Sequence, residues 1–201
     1  MSDDTYCYAP DFTVLKNTLG IRDQEQLDRF ERRMVRQRSL EDFPTGDSDL
    51  AHLCAIHHHL FQDVYDWAGQ VRTVEISKGG SQFQPKAYIE TGMADVHRRI
   101  VGQDYLRGLS PEEFATQVGH IIGDVNYVHP FREGNGRTQL YFYKQLAARA
   151  GHDVDLTQLE QESWMAASRA AHQGEYEAMA KCLRATLGHD RSHQRDRIRR
   201  R

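Results

Sequence analysis

The sequence predicts an all-α protein carrying one small β-hairpin. Three observations lead there. Apolar residues recur at helical spacing over most of residues 23–187, and Ser, Pro and Glu at helix-start positions mark a boundary. The alternating period of a strand surfaces only between residues 69 and 87. At 201 residues and a net charge of −3, a single domain is the natural expectation, with no need of staples. That charge argues against a general nucleic-acid binder, whose footprint would be basic, so no direct nucleic-acid role is expected. Cys7, Cys54 and Cys182 follow no metal or redox spacing, which fits a reducing compartment. The opening Met1-Ser2-Asp3-Asp4 is acidic where a signal peptide is basic, and no apolar run nears the ~20 residues of a bilayer span. A soluble, cytoplasmic protein without a membrane partner is the expectation.

Taken in order, residues 1–10 lack periodicity and read as an N-terminal arm. Residues 23–40 form a charged helix with Leu27, Phe30, Met34 and Val35 inward, broken by Pro44 and Gly46. Residues 47–67 continue as a longer helix on the stripe Leu50, Leu53, Ile56, Leu60, Phe61 and Val64. Within it, His57-His58-His59 invites a metal reading. Consecutive helical positions point about 100° apart and cannot converge on one ion, so core edge and surface are expected. Val71 to Ile76 alternates, the Ser77-Lys78-Gly79-Gly80-Ser81 turn follows, and Gln82-Phe83-Gln84 extends to Pro85, a β-hairpin signal. An isolated ribbon is poorly stable in water, whereas a flap with an exposed edge can pair with an extended target segment. Residues 87–107 read as a helix through Ile89, Met93, Val96, Ile100 and Tyr105. Ser110-Pro111-Glu112-Glu113 then forms a capping box, and residues 112–127 bury Phe114, Val118, Ile121, Ile122 and Val125. A central helix over 138–150 ends at Gly151, and two more follow over 157–171 and 174–187. The polar tail 188–201 contains His189 and His193 and ends Arg197-Ile198-Arg199-Arg200-Arg201, a solvated basic segment. No repeat and no second domain is visible.

The chemistry concentrates in His129-Pro130-Phe131-Arg132-Glu133-Gly134-Asn135-Gly136-Arg137. Pro130 ends the preceding helix, because the residue before a proline is pushed out of the right-handed helical region. Gly134-Asn135-Gly136 then opens a new helix, whose free N–H groups and positive dipole end make an anion site. Arg137 adds a cation, His129 can take a proton near neutral pH, and Glu133 is a hard oxygen ligand suited to Mg²⁺. Singly, a His before Pro or a Gly-Asn-Gly is usually structural. Together, base, metal ligand, phosphate cradle and cation suit transfer of a phosphate ester.

The stretch resembles the signature of the Fic family (filamentation induced by cAMP), His-Pro-Phe-x-Asp/Glu-Gly-Asn-Gly-Arg-x-x-Arg, and residues 8–187 resemble its short stand-alone bacterial members. The resemblance implies a Fic domain over 11–187, an all-helical bundle with a flap over the site, and transfer of AMP from ATP to a Ser, Thr or Tyr hydroxyl of a target protein. It implies His129 as base, Glu133 on Mg²⁺, Gly134, Asn135, Gly136 and Arg137 on the phosphates, and Ile76, Ser77, Lys78, Gly79, Gly80, Ser81, Gln82 and Phe83 as the target-holding flap. Lys78 and Phe83 are the candidates for closing over the site. Relatives resembling Doc carry Lys at Gly136 and transfer the γ-phosphate, which leaves phosphotransfer as an alternative. A nucleotide-binding module without catalysis is the other, because the closing arginine of the signature falls on Leu140. Members of this kind act as toxins on topoisomerases such as DNA gyrase, and many are silenced by Ser/Thr-x-x-x-Glu. No Ser or Thr here has Glu four residues on, so an antitoxin protein in trans is expected.

Overall fold

Helices dominate, as the periodicity requires, in the computed structural model of this chain, which describes residues 4–188. The expected tail beyond Gly188, with His189 and His193, lies outside the described residues, as do the first three residues of the arm. Two compact units make up the chain: Met1–Arg98 with Val125–Phe142, and Arg99–Asp124 with Tyr143–Arg201.

In the first unit, Asp23 caps helix α1 (Gln24–Arg38), accepting from the Gln26 amide at 2.8 Å. Asp49 caps α2 (Leu50–Phe61) in the same way through the His52 amide, also at 2.8 Å. Each cap satisfies an amide that the first turn leaves without a helical partner. The two helices pack together, with Leu27 and Val35 facing a core of Leu53, Ile56, Leu60 and Phe61. Phe30 and Met34 are half-buried. Residues 4–10, read as part of an arm, turn back on 14–16: Tyr8 N–H donates to Val14 O at 2.9 Å and Lys16 N–H to Tyr6 O at 2.8 Å. That reversal buries Tyr6 and Cys7.

Helix α2 stops at Phe61, short of the expected residue 67. The apolar stripe continues through Val64 and Tyr65, but these are buried by turns, with Ala68 N–H bonded to Tyr65 O and Gln70 N–H to Trp67 O. Gly69 closes the reversal at φ +82°, where a Cβ would sit 2.8 Å from His58 Cβ. The expected strand over 71–76 is likewise absent. Its alternation mimics a strand, yet three of its backbone groups bond to side chains: Thr73 N–H to the Tyr6 hydroxyl, Val74 O to the Arg72 guanidinium, Thr73 O to Lys86 Nζ. The ribbon shrinks to β1 (Ser77–Lys78) and β2 (Ser81–Gln82), in antiparallel register Ser77 to Gln82 and Lys78 to Ser81. Gly79 and Gly80, at φ +58° and +83°, supply the two left-handed residues of a tight hairpin turn.

Helix α3 (Ile89–Gly102) starts in the first unit, burying Ile89, Met93 and Val96. It ends earlier than expected, in a turn with Asp104, Tyr105 and Leu106 at positive φ, where the Arg149 guanidinium covers the Tyr105 ring. In the second unit, the capping box opens α4 (Pro111–Val128) as predicted. A Glu113 carboxylate oxygen accepts from the Ser110 amide at 3.0 Å and hydroxyl at 2.7 Å, and Glu113 N–H returns to Ser110 Oγ at 3.3 Å. Gly119 lets α4 approach closely, since a Cβ there would fall 2.8 Å from the Ala180 backbone. Helix α5 (Asn135–Ala150) begins three residues before the expected start. Helices α6 (Gln161–His172) and α7 (Glu177–Arg184), both shorter than expected, pack on each other. No helix among the described residues is long and apolar enough to cross a membrane.

Candidate active site

The motif lies wholly in the first unit, on the loop from the end of α4 to the start of α5. Pro130 keeps His129 out of the right-handed helix, and His129 takes the left-handed region at φ +48°. A non-glycine residue there costs about 1–3 kcal/mol and persists only where its surroundings over-determine it. Here its amide still bonds Val125 O at 3.0 Å, and its carbonyl accepts from Arg72 Nε at 2.8 Å. His129 Nδ1 lies 3.0 Å from Asn126 O. A carbonyl can only accept, so Nδ1 carries the proton and Nε2 keeps the lone pair. That is the tautomer a general base needs. Phe83, from the end of the flap, stacks on the imidazole at 3.7 Å between centroids.

After Pro130 the loop is tied by its own side chains. Asn135 Oδ1 accepts from Phe131 N–H at 2.9 Å, and Nδ2 donates to Phe131 O at 2.8 Å. The Asn135 side-chain amide, expected as a phosphate donor, closes the loop here, and the backbone N–H groups of the expected cradle lie in the first turn of α5. Gly134 sits at φ +81° with a virtual Cβ 2.4 Å from Phe61 Cζ, so conformation and space both demand glycine. Its N–H donates to Glu133 Oε1 at 2.8 Å, placing a carboxylate at the positive end of α5. Arg137 Nη2 lies 3.7 Å from that oxygen, and the guanidinium covers the Phe61 ring at 4.7 Å. Leu140 is half-buried, beside Tyr141, which stacks on Phe43, and the buried Phe142.

Of the flap residues, the structure brings Phe83 to the motif. Lys78 is exposed on β1, and among the described residues no hydrogen bond or ion pair joins it to the motif. Two residues that sequence reasoning missed hold the loop in place. Arg72, 2% exposed, forks to the carbonyls of His129, Val74 at 2.8 Å and Gln84 at 2.5 Å, while its own N–H bonds Pro130 O at 2.9 Å. Burial pulls this guanidinium below its ordinary pKa, with Glu75 opposing. One buried cation therefore joins the base of the flap to the backbone of His129.

His57 is the second. Gly69 N–H donates to its Nδ1 at 2.8 Å, so Nε2 carries the proton and donates to Glu133 O at 3.0 Å. Its ring stacks on Phe131 at 4.0 Å, and burial pushes its pKa down to about 4. The neighbouring histidines diverge as their helical spacing requires: His58 bonds Ala68 O and His59 bonds Arg38 O. Nothing local distinguishes His57 from the other two. Only its fully buried position at the α2 face does.

Comparison with known proteins agrees with this geometry. The Fic/DOC family model matches residues 47–147. The probable protein adenylyltransferase y4lH of Sinorhizobium fredii is 40% identical over 186 residues, 92% of this chain and 96% of that protein. Protein adenylyltransferase VbhT of Bartonella schoenbuchensis is 39% identical over 189 residues, 92% of this chain but 39% of that longer protein. Among solved structures, the BepC protein of Bartonella tribocorum, with bound AMPPNP, superposes with a TM-score of 0.84 at 25% identity, covering 93% of this chain and 98% of that one. With the His129–Arg137 segment joining α4 to α5, the family model matched over residues 47–147 and y4lH matched over 96% of its length, the chain belongs to the Fic/DOC family, among its protein adenylyltransferases.

Proposed function

We propose that this chain transfers AMP from ATP to a Ser, Thr or Tyr hydroxyl of a target protein, as the toxin of a toxin–antitoxin pair. The observation that carries the reaction is the His129 tautomer, an Nε2 lone pair held on the loop that opens the α5 anion cradle. The target oxygen attacks the α-phosphorus, its proton passes to His129 Nε2, and the α-phosphorus–oxygen bond to the pyrophosphate breaks. Base assistance of this kind contributes ~10²–10⁴ in rate. The first-turn amides of α5 and Arg137 bind the phosphates, and Gly136 leaves room for the β-phosphate. The relative solved with AMPPNP supports a nucleotide in such a site.

Among the described residues no cluster of three or more His, Cys, Asp or Glu could hold a metal by itself. Glu133, half-exposed, fits Mg²⁺, which ordinarily rests on one or two carboxylates and takes its other ligands from phosphates and water. Bound there, the ion would neutralise charge developing on the leaving pyrophosphate. Glu133 would first leave the Gly134 amide, freeing that donor for phosphate.

Incubating the protein with α-labelled and γ-labelled ATP in bacterial lysate tests the reaction. The α label is expected on a discrete protein band. Label from the γ position alone would make the enzyme a phosphotransferase, and label from neither would overturn transfer. The expected target is a topoisomerase subunit such as that of DNA gyrase, and the expected restraint is a small antitoxin binding near the flap. Expressed without an antitoxin, the wild-type chain should arrest bacterial growth. Normal growth with folded, labelling-competent protein would sink the toxin reading.

A further inference from the structure

The motif arginine is gripped from outside the motif. Glu31, in the middle of α1, places Oε1 2.7 Å from Arg137 Nη2, and its side chain is only 13% exposed. A carboxylate so far removed from water needs partners for its charge. It has two. The second is the Tyr65 hydroxyl, which donates to Glu31 Oε2. Tyr65 is 2% exposed and stacked on Trp67 at 4.4 Å, which fixes the direction of the phenol. The buried phenol beside the Glu31 charge stays protonated well above its ordinary range, so this donor is permanent.

Phe61 supplies the other wall, lying under the guanidinium and itself fully buried. Arg137 thus has one nitrogen and one face fixed. Its Nε and Nη1 make no hydrogen bond among the described residues. Glu133 faces the fixed nitrogen from 3.7 Å, beyond hydrogen-bond reach.

We propose that Glu31 is a positioning residue for the transfer reaction: with Tyr65 it holds Arg137 by Nη2, leaving the Nε/Nη1 edge to bind the β-phosphate of ATP. The inference rests on the nucleotidyl-transfer reading above. Its weight in this chain comes from Leu140, which leaves Arg137 as the arginine of the nine-residue loop's helical side available to phosphate. A planar guanidinium binds phosphate strongly only when its fork is aligned, and a displacement of about 1 Å near reacting groups can cost ~10²-fold in rate. The opposite role, Glu31 as a brake that competes with phosphate for Arg137, predicts the opposite sign. Geometry favours positioning, because Tyr65 anchors Glu31 independently and Glu31 takes a single nitrogen.

The experiment compares wild type, Glu31→Gln and Tyr65→Phe for ATP and AMP affinity and for kcat and KM of protein labelling, with thermal melts to confirm folding. Gln keeps the size of Glu31 and can still accept from Tyr65, and Phe keeps the stack on Trp67. Glu31→Gln is expected to lower kcat/KM for ATP by about 10- to 100-fold. ATP affinity should fall while AMP affinity, which involves no β-phosphate, stays within about twofold of wild type. Tyr65→Phe should shift the same quantities less. In an Arg137→Ala background, Glu31→Gln should add nothing. An unchanged or faster rate overturns the proposal, as does an equal loss of ATP and AMP affinity or full additivity with Arg137→Ala. A wild type that labels no protein overturns the transfer reading instead, whereas the ATP-against-AMP difference is read without turnover.

Discussion

Replacing His129 with alanine is expected to cut transfer of the α label by ~10²-fold or more, with ATP affinity nearly unchanged. The imidazole contributes a lone pair at Nε2, because Nδ1 donates its proton to Asn126 O. On the proposed reading the phosphates bind α5 and Arg137, which the substitution leaves alone. His129→Asn is the stricter variant. Asparagine tolerates the left-handed backbone at φ +48° better than alanine, so the loop keeps its shape while the base is lost. Rates measured at saturating ATP, beside nucleotide titrations, separate chemistry from binding. Retention of more than about a hundredth of the wild-type rate in both variants would remove His129 as the base.

Arg72→Met should be the most destabilising single change near the site. It strands the carbonyls of His129, Val74 and Gln84, each now served by a buried guanidinium. Hydrogen bonds from a charged donor are each worth about 1.5–3 kcal/mol, and the freed carbonyls stay largely hidden from water. A net loss of about 3 kcal/mol is the expected scale, or roughly 6–12 °C in Tm for a chain of this size. Arg72→Lys restores the charge but not the fork, and should recover stability in part. Because Arg72 also fixes His129 in its strained backbone, Arg72→Lys should still transfer AMP at least about tenfold more slowly, through kcat. A melting temperature for Arg72→Met within about a degree of wild type would refute the bracing role.

The motif was legible because its parts are local. A histidine before proline, a Gly-Asn-Gly helix start and an arginine in the first turn act within nine residues, and the structure keeps them on the loop after α4 and the first turn of α5. The Ser110–Glu113 box was legible for the same reason, each group bonding another three residues away. Periodicity located the helices but not all their ends. Val64 and Tyr65 are as apolar as the helical stripe they continue, and burial in turns satisfies that stripe equally well. In the same way, the alternation of Val71 to Ile76 carried no sign that side chains, rather than a neighbouring strand, would take its backbone bonds.

What tertiary structure alone decided is which polar side chains brace the loop. Arg72 reaches His129 across 57 residues of chain, and His57 reaches Glu133 across 76. Three adjacent histidines are chemically identical in the sequence, and only the packing of α2 buries one of them against the loop. Glu31 looks like any surface residue of a charged helix until Tyr65 and Arg137 close around it. Capping and helical periodicity are settled by neighbours within four residues, whereas a buried polar group must be satisfied by whatever the folded chain brings beside it.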